Sequence, residues 1–218
     1  MTQKISKATF ARLPVYLNYL KSLPENGSPT ISATGIAAAL GMGEVQVRKD
    51  LAAVSGAGKP KVGYVVRDLM AELEDFLGYN DVDDAVIVGA GRLGRALLEY
   101  EGFHNYGLNI VAAFDEDESV VGETENGKQI FHMSRFDDLC RRMNIRMGII
   151  TVPAAAAQSV CDRMIANGIL AILNFAPAHL EAPKEILIQD ENMATALALL
   201  SGHLKKKLKT AENKGNDD

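Results

Sequence analysis

Apolar residues recur at three- and four-residue steps early in the chain and collect into short unbroken runs later, so two architectures share one polypeptide. Phe10, Leu13, Leu17 and Leu20 keep the helical period and predict a first helix, in which Pro14 is tolerable near the first turn. After the breaker at 24–29, Ser32 is placed to cap a short helix carrying Ile36, Ala37 and Leu40, which Gly41 can end in the left-handed conformation. Residues 44–54 then set Val47, Leu51 and Val54 on one face and Gln46, Lys49 and Ala53 near the other, with Arg48 at the flank. A short helix, a Gly-containing turn and a second helix with a polar, basic outer face form the helix-turn-helix pattern. Residues 56–66 put Lys59, Pro60 and Lys61 at a Gly-rich tip and return through Val62–Val66, which predicts a hairpin, the wing of a winged helix. Leu69, Leu73, Phe76 and Leu77 mark one more helix, ended by Gly78, before the acidic linker 80–84.

From there, strand-like runs at 85–88, 109–114, 148–152, 169–173 and 186–188 alternate with helical stretches, one starting at Leu93 and one spanning Ala154 to Asn167. Such alternation predicts an α/β fold: parallel strands with helical crossovers in an open, doubly wound sheet. From Glu191 a last helix spaces Met193, Leu197, Leu200, Leu204 and Leu208 by four and three residues, a stripe that must pack on something. The expected division is a winged-helix domain at 1–79, a sheet domain at 80–190, a terminal helix at 191–210 and a polar tail at 211–218.

Charge sharpens that division. Residues 1–64 hold 8 lysines and arginines against 3 acidic residues, while residues 65–218 hold 15 against 25, so a net charge of −5 conceals a basic module joined to an acidic one. The first is built to meet a polyanion. Its candidate contacts are Ser32, Gln46, Arg48 and Lys49 around the second helix and Lys59, Lys61 and Tyr64 in the wing, the lysines serving phosphates. With 47% hydrophobic residues in 218, the chain can bury a substantial core, and no apolar run approaches the roughly 18–20 residues of a membrane span. Without a signal-type start either, a cytoplasmic location is expected. Cys140 and Cys161 lack the spacing of a disulfide framework or a zinc site and read as buried apolar residues.

The candidate chemistry centres on Gly89, Ala90, Gly91, Arg92, Leu93 and Gly94, directly after a strand and at the start of a helix. In that context Gly89 permits a tight turn, Gly91 lets backbone approach a pyrophosphate and Gly94 allows close helix-to-strand packing. Asp115, 21 residues after Gly94 at the end of the next strand, would accept hydrogen bonds from a ribose and repel a 2′-phosphate. The pattern is that of a Rossmann-type dinucleotide site and favours NAD(H) over NADP(H), a preference that Arg92 and Arg95, near in sequence, weaken. Val152, Pro153, Asn174 and Phe175, at the ends of later strands, should line its nicotinamide end. Those segments offer only Thr151, Asn174 and His179 as proton-handling groups, a poor set for hydride-transfer catalysis, so no catalytic residue and no metal site is assigned. A small NAD-dependent dehydrogenase with a helical appendage remains open, as does a DNA binder whose sheet domain holds CoA or nothing.

Taken in order, residues 12–20, 40–51, 62–66, 89–97, 110–115, 152–158 and 172–177 resemble the motifs of the Rex redox-sensing transcriptional repressors across roughly residues 5–205. The runs GlnValArgLysAspLeu (46–51) and AsnPheAlaPro (174–177) are far more specific than the glycine motif. The resemblance implies a homodimer that binds an inverted-repeat operator DNA through winged helices, senses NADH against NAD+, and leaves DNA when NADH binds. It also implies a last helix swapped onto the partner, and a switch in which Arg12 pairs with Asp190 while Tyr100 competes for the same carboxylate.

Overall fold

The computed structural model describes residues 5–24, 26–80 and 83–215, the stretch 209–215 by its backbone. The chain forms two compact units: Met1–Val82 with Asn105–Gly107, and Asp83–His104 with Leu108–Asp218. Residues 81–82 of the expected linker lie outside the described residues, and Asp83 and Asp84 already belong to a strand.

In the first unit, α1 (Lys7–Lys21) is capped by Ser6, whose side chain accepts from the Thr9 amide. Pro14 sits in the middle of this helix, against the expectation of a place near its first turn. An interior proline costs a helix about 3 kcal/mol. The helix persists because Leu13, Tyr16, Leu17 and Leu20 are buried, each worth roughly 1.5–3 kcal/mol. Phe10, expected on that face, is half-exposed against Phe76, and Tyr16 takes its place in the core. Ser32 caps α2 (Ala33–Leu40) by accepting from the Gly35 amide at 3.0 Å, and Gly41 ends it at φ 64°. Then come α3 (Glu44–Ser55) and, past the wing, α4 (Val66–Leu77).

The wing is shorter than expected. Its returning strand β2 (Tyr64–Val65) pairs with β1 (Thr30–Ile31), not with the outgoing arm. Lys59 and Gly63 exchange both backbone hydrogen bonds at 2.8 Å, which closes the tip into a tight loop with Lys61 at φ 64°. The chain leaves the wing at once because the Val66 amide bonds to the Pro29 carbonyl as α4 begins.

A charged side chain is buried in this unit's core. Asp50 of α3, 4% exposed, accepts from Arg12 Nε at 2.7 Å, from Arg12 Nη2 at 2.9 Å and from the Tyr16 hydroxyl at 2.8 Å. Burial opposes its ionisation, yet the hydrogen bonds from Arg12 and Tyr16 outweigh that and hold the carboxyl below the usual carboxylate range. Burial and Asp50 together push the Tyr16 hydroxyl up to about 12.

The second unit is a seven-stranded sheet in the order β5-β6-β4-β3-β7-β8-β9. Its strands are β3 (Asp83–Val88), β4 (Leu108–Asp115), β5 (Gly122–Glu123), β6 (Gln129–His132), β7 (Met147–Ile150), β8 (Ala171–Asn174) and β9 (Leu187–Asp190). All neighbours run parallel except β5, which is antiparallel to β6. The strand order reverses beside β3, so a crevice opens at the carboxyl ends of β3 and β7. Helices α5 (Arg92–Leu98), α6 (Phe136–Met143) and α7 (Ala154–Ala166) serve as crossovers. Two connections depart from the expected helical crossover. Residues 116–128 pass through a short 3-10 turn and β5, and residues 175–186 carry Pro177 and Pro183 and run as a loop with Leu180 buried. Cys140 and Cys161 are buried, and burial pushes the Cys140 thiol up to about 12. The last helix, α8, spans Met193–Gly215, and the side chain of Asn192 accepts from the Thr195 amide at its start. Of the expected tail, 211–215 is helical backbone and 216–218 lies outside the described residues.

Removing Asp50 tests this account of the first unit. Asp50→Asn leaves Arg12 without its counter-charge and is expected to lower the unfolding free energy by about 3 kcal/mol at neutral pH. Because the folded carboxyl titrates below its unfolded value of about 3.9, the contribution is complete above that pH and disappears as pH falls through the folded value. The difference between the urea midpoints of wild type and variant should therefore shrink below about pH 4.

Candidate functional site

The glycine turn after β3 contains three glycines that differ in what requires them. Gly89 has φ 103°, and a Cβ on it would stand 2.9 Å from the Thr151 carbonyl carbon. A Cβ on Gly94 would stand 1.8 Å from the Gly89 carbonyl oxygen, so the close approach of α5 to the turn requires glycine there. Gly91 differs: its φ is −68° and nothing lies within 4 Å of the added Cβ. Neither backbone nor packing asks for glycine at 91, and that position faces an open cleft.

The turn is held from two sides. Asp115, at the end of β4, accepts from the Ala90 amide at 2.6 Å through one oxygen and from the Asp117 amide at 2.9 Å through the other. Each oxygen keeps a further lone pair for a hydroxyl donor. Thr151, just past β7, donates its hydroxyl to the Gly89 carbonyl at 2.7 Å, a clamp the sequence pattern did not mark. Arg95 turns its guanidinium onto the carbonyls of Ala90 at 3.1 Å and Val120 at 3.3 Å.

Around this turn lies a cleft of about 570 Å³, lined by Gly89, Gly91, Asp115, Val152, Pro153 and Phe175 among others. Glu116, Met133 and Ser159 also line it and were not anticipated. Ala90 is buried behind the turn, Arg92 is exposed at the first position of α5, and Leu93 is half-buried beside it. No histidine, lysine, tyrosine or cysteine is among the described lining residues, and His179 is exposed outside them. Asn174 corrects an expectation. Its carboxamide is buried and turned back into the sheet, donating to Asp190 Oδ1 at 2.8 Å and the Ala178 carbonyl at 2.9 Å while accepting from the Ala176 amide. With its hydrogen bonds spent there, it does not line the cleft.

In the first unit, Ser32, Arg48, Lys49, Lys59, Lys61 and Tyr64 line one cleft of about 580 Å³ between α3 and the wing. Four cations on its walls give it a positive potential suited to phosphates. Tyr64 shapes the cleft from within: it is 7% exposed and its hydroxyl donates to the Gly56 carbonyl at 3.2 Å. Arg48 is paired with Glu44 one turn back. Gln46 faces a neighbouring cleft with Arg12 and Lys49, and its amide oxygen accepts from Arg12 Nη1 at 3.0 Å.

Each expected switch residue has a partner within its own unit. Arg12 faces the carboxylate of Asp50. Asp190 accepts from Asn174, and Tyr100 is exposed, edge-on to Phe103 at 5.0 Å. Spacing along the chain could not reveal the first of these contacts, because Asp50 is 38 residues from Arg12 and shares a helix with outward-facing cations.

A basic winged helix-turn-helix and a Rossmann-type sheet with an open glycine turn, on one chain, define a DNA-binding regulator that carries a nucleotide-binding domain. Residues 4–52 match the family described as putative DNA-binding protein N-terminus, and residues 80–178 the CoA binding domain family. The chain belongs to the Rex family of redox-sensing transcriptional repressors. It is 42% identical over 202 residues to the Rex repressor of Porphyromonas gingivalis, covering 93% of each chain. Against that of Pelotomaculum thermopropionicum it is 40% identical over 204 residues, covering 94% of this chain and 96% of the other. The crystal structure of RSP in complex with β-NAD+ and operator DNA superposes with a TM-score of 0.88 at 30% identity over 98% of both chains. That of RSP in complex with β-NADH gives 0.84 at 29% identity, over 96% of this chain and 99% of the other.

The glycine geometry makes a stability prediction. Gly94→Ala forces a methyl into the Gly89 carbonyl and is expected to destabilise the second unit by more than about 3 kcal/mol. Gly91→Ala should unfold within about 0.5 kcal/mol of wild type. Comparable losses in urea titrations of the two variants would show that Gly91 is also a packing glycine.

Proposed function

We propose that this protein is a homodimeric repressor that binds an inverted-repeat operator DNA, senses NADH against NAD+ in the cleft at the end of β3, and releases DNA when NADH is bound. The observation that carries this reading is Gly91, a glycine that nothing in the chain requires and that opens onto the cleft. A pyrophosphate approaching the backbone supplies the missing reason. RSP, similar over nearly the whole chain, has been crystallised with NAD+ and operator DNA and with NADH.

The residues divide the work. Gly89, Gly91 and Gly94, with the amides of Arg92 and Leu93, would receive the pyrophosphate, while Asp115, holding the Ala90 amide, would accept from an adenosine ribose through its remaining lone pairs. Asp115 and Glu116 put carboxylates at that end of the cleft, which repels the 2′-phosphate of NADPH and the 3′-phosphate of CoA. Arg95 spends donors on the carbonyls of Ala90 and Val120. Val152, Pro153 and Phe175 give the other end an apolar wall that excludes water. The bound dinucleotide supplies the redox signal, since its two forms differ in the charge of the nicotinamide ring. Among the described lining residues Asp115 and Glu116 are the titratable groups, a poor set for hydride-transfer catalysis, so turnover is not expected.

For DNA, Lys49 and Arg48 on α3 would face the major groove, with Gln46 and Ser32 beside them, and Lys59 and Lys61 the backbone at the wing. The stripe Met193, Leu197, Leu200, Leu204 and Leu208 on α8 is more than half exposed at every position, and a second copy of the chain would bury it. No helix among the described residues is long and apolar enough to cross a membrane, and a repressor that works on DNA is consistent with a cytoplasmic location.

The test uses a duplex bearing the inverted repeat that this protein selects from a random pool, at stated salt. By reciprocity, saturating duplex must weaken NADH binding by the same factor by which NADH weakens DNA binding, about tenfold or more. Gly91→Val is expected to abolish NADH binding in calorimetry while its DNA affinity persists. Lys49→Ala should weaken DNA binding and, if it serves a phosphate, lower the salt slope by about 1. Equal NADH dissociation constants with and without duplex would overturn the reading, as would steady NADH oxidation with any small ketone or aldehyde.

A further inference from the structure

The loop that walls the cleft and the root of α8 meet at one buried side chain. Asn174, 1% exposed, ends β8 and lies in register opposite Asp190, the end of β9. Its carboxamide holds Asp190 Oδ1 at 2.8 Å on one side. On the other it holds the loop that follows, through the Ala178 carbonyl and the Ala176 amide, both at 2.9 Å. Its main-chain carbonyl takes the Glu191 amide at 2.8 Å, and two residues later α8 begins. The loop thus clamped contributes Phe175 and Pro177 to the wall of the cleft that Gly91 and Asp115 also line. A buried carboxamide with both donors and its acceptor engaged has one satisfied orientation. Hydrogen bonds of this length have little slack, so the loop cannot move without carrying the amide with it or breaking its bond to Asp190.

We propose that Asn174 is the positioning residue that couples the state of the dinucleotide cleft to the root of α8, through its shared hydrogen bonds to the Ala176–Ala178 loop and to Asp190. The inference rests on the reading of the protein as an NADH-responsive repressor. It assigns the transmitting contact to the sheet's own strand ends, and it makes Asn174 neither a ligand contact nor a mere satisfied core polar group.

The readout is the coupling factor, the ratio of NADH dissociation constants with and without saturating selected duplex, measured on the full chain. Because it is a ratio, it is independent of each variant's basal affinities. Wild type should give about tenfold or more. Asn174→Ala removes the bonds, and the near-isosteric Asn174→Asp sets a second carboxylate against Asp190; each should bring the factor within about twofold of unity. Asp190→Ala breaks the same bond from its exposed end, and combining it with Asn174→Ala should remove nothing further. Asn167→Ala, which severs a network with Asp137 elsewhere in the unit, should lose stability and keep the wild-type factor. If the folded Asn174 variants, or Asp190→Ala where those do not fold, retain the wild-type factor, Asn174 is structural only and the inference is overturned. A wild-type factor of unity would instead sink the NADH reading, and this inference with it.

Discussion

A carboxylate fixed by backbone amides decides whether the second unit has a site at all. Asp115 ties the end of β4 to the turn after β3 through Ala90, and Thr151 ties the end of β7 to the same turn through Gly89. Three parallel strands thus place their carboxyl ends around one peptide segment. The segment needs this help because Gly89 occupies a conformation most residues avoid, and glycine brings the largest backbone entropy to be lost on folding. With the turn pinned, Gly94 can bring α5 against it and Gly91 is left facing open space. The cleft follows from that arrangement and from the reversal of strand order beside β3.

The first unit uses the same device. Asp50 lies on the inner side of α3, where Arg12 and Tyr16 of α1 satisfy it, so the helix that carries Arg48 and Lys49 is fixed in rotation about its own axis by a charged contact as well as by Val47 and Leu51. Apolar packing tolerates small rolls of a helix, because many side-chain arrangements bury similar area. A buried carboxylate does not, since losing one donor exposes an uncompensated charge to low dielectric. The cost of burying Asp50 is therefore offset by definition of the helix's outer face, and two cations on that face acquire fixed positions relative to Lys59 and Lys61 across the cleft.

Much of this was legible in residue order. The helical period marked α1 to α4, the apolar runs marked β3, β4, β7 and β8, and the glycine spacing located the turn, because each of these signals is local. Elements with weak local signals were missed. β6 has four residues, and α6 packs eight residues of which half are charged around Phe136, Leu139 and Cys140. Polar side chains were the hardest to place. Asn174 sits where a strand end meets a ligand crevice, and only the three-dimensional path of 175–178 shows that its amide turns inward. Tyr64 alternates with glycine and valine in a wing and could face either way until its hydroxyl is seen to reach Gly56. Pro14 reads as a first-turn residue, and only the burial of the four residues around it explains why the helix carries it in its middle.

The missing crossover helix after β8 bears on how such a protein can transmit a signal. A helix between β8 and β9 would have been an independent packed body between the cleft wall and whatever follows β9. In its place residues 175–186 return as a loop stiffened by two prolines, so the ends of β8 and β9 stay adjacent in register and α8 starts within three residues of Asp190. A stiff helix is also a lever. At 1.5 Å rise per residue, 23 residues extend about 35 Å, so a tilt of about 5° at the root moves the far end by about 3 Å. Shifts of that size are enough to exchange one packed interface for another, because packed surfaces have discrete arrangements. The sheet contributes rigidity at the root and the helix contributes reach, and neither could convert a small change in a cleft wall into a displaced apolar stripe without the other.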